Sequence, residues 1–153
     1  MFIDYLQSPM GWLEIKATDK GICFINHILA PQQAPWPNDF TQQCKQQLED
    51  YFAGKRQRFD LDIDVSGTEF QKSVWRALSD IPFANKASYL DIAKAIGNPK
   101  AVRAVGAANA KNPTSIIVPC HRVIGANNQL IGYAGGLDRK SWLLNHEGIK
   151  FIT

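Results

Sequence analysis

A cysteine, a histidine and an arginine follow one another at 120–122, within the stretch PCHRVIG. The thiolate of cysteine is a nucleophile and a metal ligand, and a nearby base or positive charge favours that form. Pro119 cannot lie inside a central strand, so we expect the apolar run 116–118 to end there. Cys120 is then predicted at a partly accessible position, as a nucleophile, a metal ligand or a small apolar residue.

A metal site lacks ligands. Structural zinc usually takes four Cys or His ligands. Cys23 and His27 could form half of such a site, but no second ligand pair accompanies them. Cys44 lies on the apolar stripe of a predicted helix and is assigned to the core. Three irregularly spaced cysteines also argue against a disulfide framework, so we expect no metal and no disulfides.

A base for Cys120 requires more than its neighbour in sequence. In an extended segment the side chains of Cys120 and His121 point to opposite faces, so a backbone bend or a bridging water is needed. Glu147 lies near the end of a predicted helix at about 137–146, where a carboxylate opposes the helix dipole. That placement suggests another use, such as orienting either His121 or His146.

The N-terminal part of the chain alternates as strands do. The stretches MFIDYL, GWLEIKAT and GICFINHI are separated by turn residues and predict three strands. An amphipathic helix follows at about 38–53, and a fourth strand is predicted at 59–65. We expect a domain boundary near residue 66, with a structural domain at 1–66 and the reactive segment in a second domain at 67–153.

Thr68 and Gln71 form a T-x-x-Q capping box that predicts the start of a further helix, which ends at Pro82.

The stretch SYLDIAKAIGNPKAVRAVGAANA at 88–110 predicts a helix-turn-helix. Ser88 caps the first helix, with an aspartate three residues later in a related capping position, and Gly97 ends that helix. Asn98 is expected to cap the second helix, with Pro99 in its first position. A plain helical hairpin is the alternative interpretation of the same pattern.

The second helix has an unusual outer face. Its predicted inward stripe consists of apolar residues, namely Ala101, Val102, Val105 and Ala108. The opposite face offers one arginine among small residues, namely Arg103, Gly106, Ala107 and Ala110. A major-groove reader normally presents several polar side chains to base edges. Insertion into the minor groove with one wedge residue fits better, and sequence-specific transcription control is disfavoured.

Charge and composition add weak constraints. Residues 1–64 carry 6 Lys or Arg and 9 Asp or Glu, whereas residues 82–132 carry 6 basic residues and 1 acidic residue. The basic region suggests a polyanion contact, although a solvated helix face explains it equally well. No apolar run approaches the length of a membrane span, and the first residues lack the layout of a signal peptide, so we expect a cytoplasmic protein.

From about 67 to 148 the chain resembles the O6-alkylguanine-DNA alkyltransferases. The resemblance rests on GTEFQKSVWRAL, on IPFANKASYLDIAKAIGNPKAVRAVGAANAKNP, on IVPCHRVIG and on GYAGGLDRKSWLLNHEG. It implies an α+β fold, with a small RNase H-like sheet and helix domain before a mostly helical domain that contains a winged-helix-like helix-turn-helix. It also implies a one-step, irreversible transfer of an alkyl group from O6-alkylguanine, and possible action on O4-alkylthymine, without any cofactor.

The resemblance assigns roles to individual residues. Cys120 would be the alkyl acceptor, and His121 would take the thiol proton through a water. Glu147 would orient His121, and Tyr133 would protonate or hydrogen-bond the departing guanine. Asn112 would brace the turn before the reactive segment.

The remaining assignments concern the base and the DNA. The backbones of Cys120, Val123 and Ala134 would contact the edge of the guanine. Arg103 would fill the gap left by the extruded base, and Tyr89 would crowd the phosphate 3′ to it. The expected DNA-binding set is Tyr89, Lys100, Arg103, Gly106 and Ala107.

The expected partner is double-stranded DNA containing alkylated guanine, bound by a monomer through the minor groove, independently of sequence and without a membrane. Two alternatives remain. One is a non-catalytic alkylated-DNA-binding protein, a class that lacks the acceptor cysteine. The other is a Cys-His hydrolase, for which no nucleophile elbow is present. The loops 83–87 and 126–128 depart from the family pattern, so we expect altered flexibility or DNA contacts there.

Overall fold

The computed structural model describes residues 1–153 and divides into two compact units, Met1–Ser66 and Gly67–Thr153. The first unit contains a three-stranded sheet and one long helix, and the second is mainly helical. The predicted α+β class is confirmed. None of the helices is both long and apolar enough to traverse a bilayer.

The first unit is built on an antiparallel sheet with strand order β1-β2-β3. The three strands cover Phe2–Ser8, Gly11–Ala17 and Ile22–Ile28, as the alternating pattern predicts. A tight turn with Gly11 at φ +101° joins β1 to β2, a conformation that glycine adopts without strain.

Helix α1 (Asp39–Phe52) packs its apolar stripe against this sheet. The side chains of Asn38 and Thr41 form a reciprocal capping box that satisfies backbone N–H groups at the start of the helix. Cys44 and Leu48 are both fully buried on the stripe. The predicted helix and the core position of Cys44 are therefore confirmed.

The predicted strand at 59–65 is wrong, because only Ile63 pairs there, in an isolated bridge with Ile22. The backbone of Ile22 makes hydrogen bonds of 2.9 and 2.8 Å to the two residues that flank Ile63. A Cβ atom on Gly21 would lie only 2.7 Å from the carbonyl oxygen of Asp62. The segment therefore approaches the sheet closely at this crossing and is not paired along its length.

The second unit begins with helix α2 (Glu69–Ser79), whose first turn carries the predicted capping box of Thr68 and Gln71. Its last helix, α5 (Leu137–Glu147), ends at Gly148, which has the left-handed φ of +75° typical of a helix stop. Both helices are confirmed.

The helix-turn-helix lies between them. A short strand β4 (Ala87–Ser88) leads into α3 (Tyr89–Ala95), and α4 (Val102–Ala110) follows after a turn. Ser88, the last residue of β4, forms the expected capping box with Asp91 at the start of α3. Beyond the end of α3, Gly97 has a left-handed φ of +77°.

The expected start of α4 is wrong. The helix begins at Val102, and its cap residue Ala101 makes no side-chain hydrogen bond. The backbone N–H of Ala101 donates to the carbonyl of Asn98 at 3.0 Å, closing a turn around Pro99 before the helix starts. Asn98 therefore belongs to the turn and caps nothing.

The later start also changes the buried face of α4. Val105 and Ala108 are buried as expected, but Val102 is 37% exposed. The third buried residue of the helix is Asn109, which is 4% exposed. The indole N–H of Trp75 on α2 donates to the carbonyl of Ala108 at 2.9 Å, fixing this face against α2.

A second short strand, β5 (Val123–Ile124), pairs in parallel with β4. Ile124 packs with Leu144 and Ile149 in a small apolar cluster. The cluster holds the segment that follows Cys120 against the region around the end of α5.

Candidate active site

The segment before Cys120 is a turn, so the expected extended run at 116–118 is wrong. Ile116 has a positive φ of +78°, and Ser115 pairs with Val118 in a bridge. Cys120 then opens a 3-10 turn that extends to Arg122. The opposite-face geometry expected for a strand therefore does not apply to the cysteine and histidine.

The thiol is buried rather than partly accessible, since Cys120 is only 3% exposed. Burial raises the pKa of Cys120, because a thiolate loses its hydration. A hydrogen bond with the Asn112 side chain and the positive charge of Lys140 act in the opposite direction on this pKa. The site thus suppresses the thiolate by burial and partly restores it with specific groups.

Asn112 holds the turn before the cysteine with both ends of its amide. Its Nδ2 donates to the carbonyl of Val118 at 2.9 Å. Its Oδ1 accepts from the backbone N–H of Thr114 at 3.1 Å and from the hydroxyl of Thr114 at 3.3 Å. The bracing contact expected from sequence is present in this geometry.

Glu147 lies at the centre of a buried hydrogen-bond network. Its Oε2 accepts from His121 Nε2 at 2.7 Å, and its Oε1 accepts from Arg122 Nε at 2.7 Å. A second guanidinium nitrogen and the backbone N–H of Ala84 add contacts of 3.2 and 3.3 Å. Burial raises the pKa of Glu147, but the hydrogen bonds and charges of His121 and Arg122 outweigh it and bring the pKa to about 2.

This network sets the protonation of His121. Because Glu147 is ionised and can only accept, Nε2 of His121 must carry the hydrogen. Burial lowers the pKa of His121, so the ring is neutral and its Nδ1 has a free lone pair. Nδ1 is buried and makes no hydrogen bond with any protein atom. The other candidate partner, His146, stacks instead on Trp142 at 4.9 Å between ring centroids.

Arg122 has a structural role that the sequence analysis missed. Besides pairing with Glu147, it donates to the carbonyl of Ile81 at 2.6 Å and lies 5.9 Å from the centre of the Phe83 ring. It is 5% exposed, so the charge is buried with its counter-ion. The pairing could not be inferred from Arg122 following the histidine in sequence.

Lys140 is a second buried cation that the sequence analysis missed. It is 0% exposed, and its Nζ donates to the carbonyls of Val123, Ile131 and Gly132. Burial lowers the pKa of Lys140 to about 8. Its spacing from Leu144 and Glu147 puts all three on one buried face of α5, and this spacing was the signal available in the sequence.

Two tyrosines lie close enough to Cys120 to interact with its charge. Burial raises the pKa of both Tyr89 and Tyr133, and a charged Cys120 raises each further. A Cβ atom on Gly132 would lie 3.0 Å from the hydroxyl of Tyr89, so glycine is needed at that close approach. Tyr133 also hydrogen-bonds Ser115.

The other predicted positions fall into two groups. Val123 is fully buried in β5, and Ala134 is exposed in the loop before α5. Apart from half-buried Tyr89, three members of the expected DNA-binding set are exposed and one is half-buried. In order these are Lys100, Arg103, Ala107 and Gly106. No set of three or more His, Cys, Asp or Glu side chains converges to hold a metal ion.

The second unit combines a helix-turn-helix with a buried cysteine that precedes a histidine hydrogen-bonded to a carboxylate. Residues 1–65 match the family model of the 6-O-methylguanine DNA methyltransferase, ribonuclease-like domain, and residues 69–149 match that of its DNA binding domain. The chain belongs to the 6-O-methylguanine DNA methyltransferase family.

Relatives cover nearly the whole chain. A methylated-DNA–protein-cysteine methyltransferase of Methanosarcina acetivorans is 47% identical over 97% of this chain and 99% of its own length. One of Mycobacterium bovis is 55% identical over 93% of this chain and 89% of its own. A crystal structure of Mycobacterium tuberculosis OGT in complex with DNA superposes with a TM-score of 0.84 and 43% identity, covering 94% of this chain and 90% of that one.

Proposed function

We propose that this chain repairs DNA by transferring the alkyl group of O6-alkylguanine to the sulfur of Cys120. The observation that carries the proposal is the buried cysteine followed directly by a neutral histidine, which an ionised Glu147 holds at 2.7 Å. The names of the relatives, which specify methylated DNA and a protein cysteine, support the same reaction. O4-alkylthymine is a second candidate substrate, because it presents an equivalent alkyl–oxygen bond.

The reaction is a single displacement at the alkyl carbon. Sγ of Cys120 attacks that carbon in line with its bond to O6, a sulfur–carbon bond forms, and the electron pair of the broken bond leaves with guanine. The thiol proton passes through a water to Nδ1 of His121, which has no other partner among protein atoms. The departing guanine takes up a proton from the hydroxyl of Tyr133, which burial keeps protonated, and His121 restores it.

The product on the protein is a thioether, which water does not cleave under ordinary conditions. Each chain therefore acts once, and the protein is consumed in proportion to the lesions repaired. All three cysteines are free thiols, which fits action in the reducing cytoplasm.

Base extrusion follows from the burial of the thiol. A nucleophile that is 3% exposed cannot reach a base inside a stacked duplex, so the nucleotide must rotate out. We assign the outer face of α4 to the minor groove, with exposed Arg103 filling the gap and Lys100 near the phosphates. Small residues such as Ala107 allow close approach without reading bases, so one monomer can bind in any sequence context.

The direct test is the mass of the intact protein after incubation with duplex DNA that contains O6-methylguanine. The mass should increase by one methyl group per chain and no further with excess DNA. Multiple turnover would contradict the single-use mechanism. Binding without any gain in mass would instead indicate a non-catalytic alkylated-DNA-binding protein.

Two variants locate the chemistry and the DNA contact. Cys120→Ser should abolish the mass increase, and survival of transfer would show that another residue is the acceptor. Arg103→Ala should slow repair of duplex DNA by about tenfold while reaction with the free base O6-methylguanine stays unchanged. Equal losses on both substrates would contradict the wedge role.

A further inference from the structure

Asn109 is a buried polar residue on α4 to which the proposed mechanism assigns no role. It is 4% exposed and belongs to the inner face of the helix, where its neighbours are apolar. Its Nδ2 donates to the carbonyl oxygen of Cys120 at a long distance of 3.5 Å. Its Oδ1 is buried and has no hydrogen-bond partner.

An unpartnered amide oxygen is costly in a folded protein. A buried acceptor that lacks a donor loses the hydrogen bonds that it makes to water in the unfolded chain, and asparagine is also a poor helix former. The nearby Asn112 shows the usual solution, since both ends of its amide are bonded. A leucine at position 109 would serve the packing better, so the free oxygen indicates a partner that arrives with the substrate.

The position of Asn109 ties that partner to the nucleophile. Asn109 and Asn112 lie three residues apart, and they reach the carbonyls of Cys120 and Val118. The amide end that faces the Cys120 carbonyl must be the NH2 group, because two oxygens would repel. The Oδ1 atom of Asn109 is therefore a spare acceptor beside the backbone of the residue that carries the thiol.

The chemistry of an O6-alkylated guanine identifies the donor. Alkylation of O6 leaves N1 without a hydrogen, so the exocyclic 2-amino group is the only hydrogen-bond donor on the base. The alkylated oxygen and the 2-amino group lie on either side of N1. Cys120 can match both, with its thiol directed at the alkyl carbon and its carbonyl directed at the amino group.

We propose that Asn109 is a specificity-determining residue that accepts a hydrogen bond from the 2-amino group of the alkylated guanine through Oδ1. Its Nδ2 at the same time orients the carbonyl of Cys120. The site therefore distinguishes 2-amino purines from 6-alkoxypurines that lack the amino group. This inference rests on the proposed alkyl transfer and deepens it.

The test compares two duplexes that differ in one group, the 2-amino group of the target base. One contains O6-methylguanine and the other contains O6-methylhypoxanthine. Single-turnover rates of methyl transfer are measured by protein mass for the unchanged protein and for Asn109→Leu. The unchanged protein should react at least about tenfold faster with the guanine. Asn109→Leu should lose about tenfold on the guanine and little on the hypoxanthine, so that the rate ratio collapses.

Two further variants separate recognition from structure. Asn109→Asp keeps an acceptor, and because burial favours its protonated form, its O–H replaces Nδ2 as the donor to the Cys120 carbonyl; most of the preference for the amino base should be preserved. Asn145→Leu makes the same chemical change at an exposed position of α5 and should leave both rates unchanged.

Each contrary outcome has a definite meaning. Equal losses of transfer rate on both bases in Asn109→Leu would overturn the proposal, because the Asn109 amide would then act only through its hydrogen bond to the Cys120 carbonyl. An unchanged protein that does not prefer the amino base would overturn it whether or not the variant folds. Failure of the unchanged protein to accept methyl groups from either duplex would overturn the proposed function itself.

Discussion

Both units contain buried cysteines, and the most deeply buried thiol of the first unit, Cys44, differs from Cys120 in the charges around it. Cys44 is fully buried on α1, where burial, together with the negative charge of Asp4, raises its pKa to about 12. Burial also raises the pKa of Cys120, but a hydrogen bond with Asn112 and the cation of Lys140 lower it. Around Cys44 nothing opposes the effect of burial, whereas Cys120 has an amide and a cation that do.

The buried polar side chains are distributed in the same way. The first unit buries two polar residues, Asp4 and Thr41, of which Thr41 belongs to a helix cap. The second unit buries eight, namely Asn109, Asn112, Thr114, Ser115, His121, Arg122, Lys140 and Glu147. Buried charges and amides are weak sources of stability. We infer that the second unit retains these buried polar side chains for chemistry and is less stable as a result than if they were apolar.

Among variants that test the difference between the two units, we expect the largest loss of stability and of methyl transfer from Glu147→Gln. The change leaves one amide oxygen in place of the two that accept from His121 and Arg122, and it removes the counter-ion of the buried Arg122. We expect the free energy of unfolding to fall by about 3 kcal/mol and methyl transfer to slow by about 100-fold. Chemical denaturation and single-turnover mass measurements give the two values.

The matched control lies in the first unit. Asp4→Asn alters a buried carboxylate that pairs at 3.6 Å with Lys45, whose side chain is 37% exposed. We expect it to cost less than about 1 kcal/mol and to leave transfer unchanged. Similar losses in both variants would contradict the inference that only the second unit retains buried polar groups for chemistry, because the two carboxylates would then be equivalent.

Acid should destabilise the second unit through the same carboxylate. Because the folded pKa of Glu147 is about 2, below its usual 4.5, its contribution is present above pH 4.5 and is lost as the pH falls toward 2. The lowered pKa of His121 acts in the same direction below about 6.5. Stability should fall by about 3 kcal/mol over this range, and Glu147→Gln should flatten the profile measured by denaturation at stepped pH.

A smaller effect is expected from Lys140→Met. The variant keeps the aliphatic stem but removes the donor to the carbonyls of Val123, Ile131 and Gly132. We expect stability to fall by about 2 kcal/mol and the pH–rate profile of transfer to shift to higher pH, because the pKa of Cys120 rises without the cation. Lys45→Met, near Cys44, should leave that profile where it is. An unshifted profile in Lys140→Met would show that the cation only holds the loop.

The smallest effect concerns Ala84, whose backbone N–H donates to Glu147 while its φ is +65°. A left-handed alanine costs about 1–2 kcal/mol, and glycine loses about 0.5–1 kcal/mol in backbone entropy. Ala84→Gly should therefore stabilise the protein by about 0.5 kcal/mol in denaturation experiments. Asn127→Gly, at φ +59°, should gain less because asparagine tolerates this region. Destabilisation by Ala84→Gly would mean that its Cβ makes a contact worth more than the strain.

The elements that the sequence predicts correctly are those whose signals are local. Capping side chains mark the starts of α2 and α3, and a glycine marks the end of α5. The errors arise where distant groups decide the backbone. The segment 59–65 alternates like a strand, but only Ile63 finds a partner. Asn98 and Pro99 resemble a helix start, but they close a turn first.

The site is predictable where residue type reveals chemistry. Cys120, His121 and Glu147 stand out because a thiol, an imidazole and a misplaced carboxylate each need an explanation. Lys140 and Asn109 do not, because lysine and asparagine on helices usually face solvent. The spacing of Lys140 from Leu144 and Glu147 is the one local signal of its burial. The carbonyl groups that accept from Lys140 and Asn109 lie elsewhere in the second unit, and no local pattern reveals them.

The dependence of the thiol on α5 has a consequence for the growing chain. A polypeptide synthesised only as far as residue 136 contains the cysteine but neither Lys140 nor Glu147. His121 then has no acceptor to fix its tautomer, and Arg122 has no counter-ion. A chain interrupted at that point carries an ordinary thiol. If the proposed single transfer takes place, Cys120 gains its full reactivity only after α5 has docked, so an unfinished chain does not use up its cysteine.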